Sequence, residues 1–169
     1  MVRWLIVIPL ALLLAVAAGA LAMALAWVVD PVLIELTGRA LFVFWKAIFA
    51  AGDDSLVVDP VVHGLGRLAL ALLVVPPVFS ALVLEFMGVW RLIAHAGLTA
   101  LVTAAVPFLL RGPNRGATPE EIHIAAVLAL VGAVAGAVYW AVAGRGAGAP
   151  QREVARILSA KAENRAANE

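Results

Sequence analysis

Few side chains in this sequence are equipped for chemistry: it has three histidines, eleven acidic residues, one tyrosine and no cysteine. His63 and His123 each stand near the start of an apolar run. Facing helices would bring them level, and paired imidazoles of this kind hold a b-type haem through two axial nitrogens. With Asp59 and Glu120 added, the four residues offer oxygen and nitrogen ligands suited to zinc or another divalent ion. Glu120 and His123 also have the Glu-x-x-His spacing of di-iron carboxylate bundles, but that chemistry needs a second pair and the chain has none. A simpler assignment covers the same residues. Asp59 and Glu120 belong to helix-start signals, where a carboxylate complements free backbone N–H groups. The histidines then fall where polar groups reach headgroups and water. On this reading no cofactor is required, and haem b or a divalent metal is the alternative.

Glu85, Arg91 and His95 form a second cluster, at the break between two apolar runs. A carboxylate and an imidazole there suit the mouth of a proton path. His95, Thr99 and Thr103 recur four residues apart and so share one helix face. Beyond them the polar stations thin out to Ser80, His123 and Tyr139. The expectation is therefore a solvated hairpin in which Glu85 and Arg91 pair, an interaction of little energetic or functional weight when exposed. Asp53-Asp54 reads as an ordinary solvated loop. The sequence contains no nucleophile triad, phosphate-binding glycine loop or nucleotide motif, and no catalytic residue is assigned.

A third pattern concerns packing. Gly132 and Gly136 make a GxxxG pair. Earlier in the chain, Ala11, Ala15 and Gly19 form one small-residue ridge, and Ala18, Ala22 and Ala26 form another. Small residues let helix backbones approach closely, a main source of helix association in lipid.

The elements that carry these residues follow from composition. Of 169 residues, 64% are hydrophobic and 14% charged, with a mean hydropathy of +1.05. Soluble domains average roughly 45–50% apolar and about 25% charged, and a chain of this size cannot hide such an excess in a soluble core. A soluble enzyme, a nucleic-acid-binding module and a disordered tail are excluded, and the net charge of +1 carries no nucleic-acid footprint. The composition predicts an all-α integral membrane protein: a bundle of four transmembrane helices, with an interfacial amphipathic helix and a short C-terminal helix.

The spans are predicted at about 4–29, 61–84, 92–110 and 122–142, each near the roughly 20 residues a crossing needs. The first is too long for the core of a signal peptide and reads as uncleaved. Segment 31–51 carries Glu35, Arg39 and Lys46 in one stripe among Phe42, Phe44, Trp45 and Phe49. It reads as a helix lying in the interface, with a fifth span as the alternative. Helix starts are signalled by Asp30-Pro31, Asp59-Pro60 and Thr118-Pro119, the last with Glu121 at capping-box spacing. Pro76-Pro77 should kink the second span, and Tyr139-Trp140 should anchor the last at the interface. Residues 144–150 read as a Gly-rich flexible hinge. The tail, 151–169, reads as a cytoplasmic amphipathic helix with Arg152, Arg156, Lys161 and Arg165 around Val154, Ile157 and Leu158.

Seven Lys and Arg fall on the side of the termini and five on the other, which places both termini in the cytoplasm. An Arg-rich, Ala-, Val- and Gly-rich composition hints at a bacterial inner membrane. The chain offers surfaces more than reactive groups. The function read from it is a non-catalytic accessory or assembly subunit of a larger membrane complex, acting through helix packing. Its partners would be the bilayer and membrane subunits or copies of itself, with no nucleic acid. A small oligomeric transporter or channel unit and a haem- or metal-binding anchor of a redox enzyme are the alternatives.

Overall fold

A computed structural model describes residues 3–51, 55–111, 116–147, 153–154 and 156–161. All regular structure among them is helical. A π-helical turn, Arg3–Val7, leads into α1 (Ile8–Val29), which is followed by α2 (Pro31–Ala51). Helices α3 (Ser55–Ala69) and α4 (Val75–Phe86) are joined by the π-helical turn Leu70–Val74 into one rod. Helices α5 (Leu92–Arg111) and α6 (Pro119–Val142) complete the bundle, and a 3₁₀ turn, Gly144–Gly146, follows α6. Among the described residues, four segments are long and apolar enough to cross a membrane: Leu5–Val29, Val58–Phe86, Leu92–Leu109 and Pro119–Val142. The charged helix α2 is not one of them.

Local chemistry explains most boundaries. Asp30 Oδ1 accepts the backbone N–H groups of Val32 and Leu33, at 2.9 and 3.1 Å, and so caps α2. Thr118 and Glu121 make a reciprocal capping box at the start of α6, at 3.2 and 2.9 Å. Helix α4 ends where Gly88 adopts a φ of 64°. The N–H of Gly88 returns to the Glu85 carbonyl and that of Val89 to the Leu84 carbonyl, the paired bonds of a Schellman stop. Only glycine enters that left-handed conformation without a steric cost.

One of these expectations needs correcting. Asp59-Pro60 does not start a helix: α3 begins at Ser55 and carries Pro60 inside it. So near a helix start, a proline costs only one carbonyl partner, and the turn before it remains helical. Asp53 and Asp54, read from sequence as a solvated loop, lie outside the described residues. At Pro76-Pro77 the chain answers with a π-turn immediately upstream, its backbone closed by the Val75 N–H on the Leu70 carbonyl. Two consecutive residues without N–H groups cannot continue an α-helical ladder, and a widened turn relieves the clash with the carbonyls behind them.

The packing is arranged for lipid. Buried positions are mostly small or polar, among them Ala11, Ala15, Ala81, Ala135, Ser80 and Thr99, while Leu13, Leu21, Ile93 and Leu101 point outward. Where the surroundings are as apolar as leucine, helices gain by close approach and not by hiding large side chains. Helix α6 lies at the centre, against α1 on one side and α5 on the other. Along the α1 seam Ala11, Ala15 and Gly19 are buried, and a Cβ on Gly19 would stand 3.4 Å from the Cβ of Ala135. Ala18, Ala22 and Ala26 are half-buried on the adjacent face. Ile8, Ala81, Tyr139 and Ala143 share one core cluster, so the start of α1, the end of α4 and the end of α6 lie at the same end of the bundle.

Candidate functional site

At that end, three helices deliver ionisable or polar groups to the interior. On α4, Pro77, Ser80, Ala81, Leu84 and Glu85 are buried, a spacing that forms one helical stripe. The last of them, Glu85, is 6% exposed and accepts a hydrogen bond from the Tyr139 hydroxyl at 3.2 Å. On α5, His95, Thr99 and Thr103 are all buried. On α6, Gly132, Gly136 and Tyr139 fall on the facing stripe. Backbone contact between α5 and α6 is intimate. A Cβ on Gly132 would come within 2.7 Å of the Thr99 carbonyl, and one on Gly136 within 2.5 Å of the His95 carbonyl.

His95 is 1% exposed, and its ring stacks on Tyr139 with centroids 5.7 Å apart. Its Nδ1 lies 3.1 Å from the Arg91 carbonyl. A carbonyl only accepts, so Nδ1 is the donor in this contact, which leaves Nε2 as the other ring nitrogen. That nitrogen is buried without a hydrogen-bond partner among the described residues, as is Ser80 Oγ. It faces Gly144, where a Cβ would stand 2.9 Å from it; the absence of a side chain there makes room for the imidazole edge. The threonine hydroxyls are turned back on their own helix, Thr99 to the His95 carbonyl at 2.8 Å and Thr103 to the Thr99 carbonyl at 2.7 Å. Trp140 Nε1 donates to the Trp90 carbonyl at 2.7 Å, tying the α4–α5 hairpin to the end of α6, and the Arg145 guanidinium sits over the Trp140 ring at 4.6 Å.

This geometry revises the sequence reading in three respects. Glu85 is not part of a solvated hairpin: it is buried and held by Tyr139, while Arg91 is exposed. Tyr139 is not an interfacial anchor, being 2% exposed in the interior. The stretch that reads as a hinge from 144 is packed at its start, since Gly144 and Ala147 are both buried. The cluster missed from sequence is the Tyr139 and Gly144 contribution. Tyr139 follows Gly132 and Gly136 at seven and three residues, on one face, and that spacing is the signal that would have found it.

The outer candidates occupy the other end. His123 Nε2 donates to Asp30 Oδ2 at 2.7 Å, linking the start of α6 to the junction of α1 and α2. This bond, with help from the Leu33 and Val32 N–H groups, holds the Asp30 carboxyl below its ordinary value. His63 Nδ1 instead donates to the Asp59 carbonyl at 2.8 Å, one turn back on the same helix, with the Asp59 carboxylate 3.6 Å away. Glu120 is exposed. Among the described residues, no group of three or more His, Cys, Asp or Glu is gathered where it could hold a metal ion. Of the tail, residues 153–154 and 156–161 are helical and described, whereas Arg152 and Arg165 lie outside the described residues.

Chemically, the buried cluster supplies a carboxyl group, a phenol and an imidazole whose Nε2 makes no hydrogen bond among the described residues. Among the described side chains of α5 the polar line ends at Thr103, eight residues from His95, about 12 Å at 1.5 Å per residue. A hydrocarbon core is about 30 Å thick. In comparison with known proteins, the chain matches no family model, no curated protein and no solved structure.

Proposed function

We propose that the protein is a non-catalytic accessory or assembly subunit of a larger complex in a bacterial inner membrane, with both termini in the cytoplasm and α2 lying in the opposite interface. The observation that carries this reading is α2 itself. It is tethered at its start by the Asp30 cap and by the buried Leu33, while Phe42, Val43, Trp45 and Phe49 further along it are exposed. Glu35 and Arg39 pair with one another along its polar side, an arrangement suited to headgroups and water. A helix that does so little for its own bundle is available to lipid and to another subunit. The interior supports the same conclusion, because its threonines bond back to their own helix and its glycines are consumed in packing α5 on α6.

The test is extraction from native membranes in mild detergent, followed by identification of what accompanies the protein. A reproducible companion subunit, or a defined homo-oligomer lost on Phe49→Glu, is the expected result. A stable monomer with transport activity overturns the proposal. One observation favours a second reading, a small transporter unit. The buried Glu85, Tyr139 and His95 are ionisable groups in a membrane bundle, where such groups commonly mark a path. Flux in reconstituted vesicles that is lost on Glu85→Gln would establish that reading instead.

A further inference from the structure

Two arginines stand where the apolar stretches of α5 and α6 stop. Arg91 immediately precedes the segment Leu92–Leu109, and Arg145 lies just beyond the segment Pro119–Val142. The fold gathers them around one indole. Trp140 Nε1 donates to the carbonyl of Trp90, the residue before Arg91, and the Arg145 guanidinium lies 4.6 Å from the centre of the same ring. His95 holds both backbones in place. Its Nδ1 and its N–H reach the Arg91 carbonyl at 3.1 and 3.3 Å, while its Nε2 edge packs against Gly144. Both arginines are exposed, and neither enters an ion pair among the described residues. Glu85, at this end of the bundle, is buried and held by Tyr139.

We propose that Arg91 and Arg145 form a binding site for the phosphate of an anionic bilayer phospholipid. Two guanidinium groups without a counter-charge call for an anion, and the planar fork of arginine matches phosphate oxygens. The height of the pair selects a phospholipid as the carrier of that phosphate. Charges at the immediate end of a membrane-crossing helix lie level with the headgroups. Trp90 is 52% exposed beside Arg91, and with Trp140 it takes the headgroup-level position that tryptophan favours. Leu92 and Val142, the apolar residues that border the patch on each helix, are exposed, so hydrocarbon tails have a surface to lie on next to the charges. The size of the patch agrees. Two guanidinium groups around one indole match a single phosphodiester, far short of the about 800 Å² that a stable protein interface takes from each partner. The site rests on neither the orientation nor the partners proposed above.

The test is native mass spectrometry of the full chain in mild detergent, titrated with phosphatidylglycerol or with phosphatidylcholine of the same tails. Saturable binding of phosphatidylglycerol is expected, about tenfold or more tighter than phosphatidylcholine, since each arginine near an anionic headgroup contributes about fivefold. Arg91→Gln and Arg145→Gln should each weaken phosphatidylglycerol binding by about fivefold and leave phosphatidylcholine unchanged. Arg67→Gln, at an exposed arginine on α3, should have no effect. An excess of inorganic phosphate should fail to displace the lipid, which separates a headgroup site from one for the free anion. Arg91→Gln decides the matter if Arg145→Gln, which also loses the stacking on Trp140, does not fold. Equal affinity for the two lipids, an equal loss on Arg67→Gln, or displacement by inorganic phosphate overturns the proposal. So does an acidic protein companion that both variants release while phosphatidylglycerol binding stays unchanged.

Discussion

A carboxylate inside a membrane bundle persists only where donors surround it, and Glu85 has the Tyr139 hydroxyl at 3.2 Å. Removing that donor leaves part of a buried acceptor unsatisfied, which costs about 1–3 kcal/mol. Tyr139→Phe should therefore lower stability by that order in reversible detergent unfolding. Combined with Glu85→Gln the losses should be less than additive, because both substitutions touch one bond. Additive losses would mean that the two groups act separately. The glycines give a second prediction. An added methyl at Gly136 meets the His95 carbonyl, whereas at Gly97 nothing lies within 4 Å. Gly136→Ala should destabilise by about 1–3 kcal/mol, as overpacking does. Gly97→Ala should be neutral or stabilise by up to about 1 kcal/mol through helix propensity. Thermal unfolding of the two variants side by side checks the contrast. The GxxxG spacing is visible in the sequence. That it faces His95 and the two threonines is not, because the partner helix is fixed by long-range packing.

Elements are joined at their ends by a small number of polar contacts, and Asp30 is the clearest. It terminates α1, caps α2 and receives His123 from α6. Its folded-state pKa lies below the ordinary 3.8, chiefly through the His123 bond. The sign follows directly. Above the ordinary value the ionised carboxylate favours the folded chain, and that contribution disappears as pH falls through the lowered folded value. Wild-type protein should be more stable than Asp30→Asn at neutral pH, with the difference vanishing in acid below the ordinary carboxylate range. Unfolding curves across that range provide the check, and a difference that persists in acid would place the Asp30 effect in its cap geometry instead. Only half of this junction is legible locally. Asp-Pro before an apolar run announces a cap, but the arrival of a histidine ninety-three positions later depends on α1 and α6 running antiparallel.

Across the whole molecule the four candidate spans run up and down, so that the start of α1 and the end of α6 meet at one end. With the proposed orientation, reporter fusions before Met1 and after Glu169 should both report the cytoplasm, and a fusion between α5 and α6 should report the opposite side. Termini on opposite sides would require α2 to cross as a fifth span. The distribution of side chains agrees with a lipid setting. Large apolar residues face outward and small ones line the seams, which in water would reverse.

What the sequence by itself determined is what depends on neighbours along the chain. Length and hydropathy set four spans within a few residues of those found. The caps at Asp30 and Thr118 were readable because a side chain and the N–H groups it satisfies lie within one turn. Charge alone distinguished α2 from the spans. Tertiary structure decided the rest. It turned Glu85 from a hairpin residue into a buried acceptor, drew Tyr139 inward and closed the 3₁₀ turn over His95. It also overruled Asp59-Pro60, which has the form of a helix start but sits inside one. For Glu85, Tyr139 and the turn over His95 the physical reason is shared. A cap or an apolar run is satisfied locally, whereas a polar group in a membrane bundle is worth keeping only if another helix brings its partner, and no sequence position records which helix that will be.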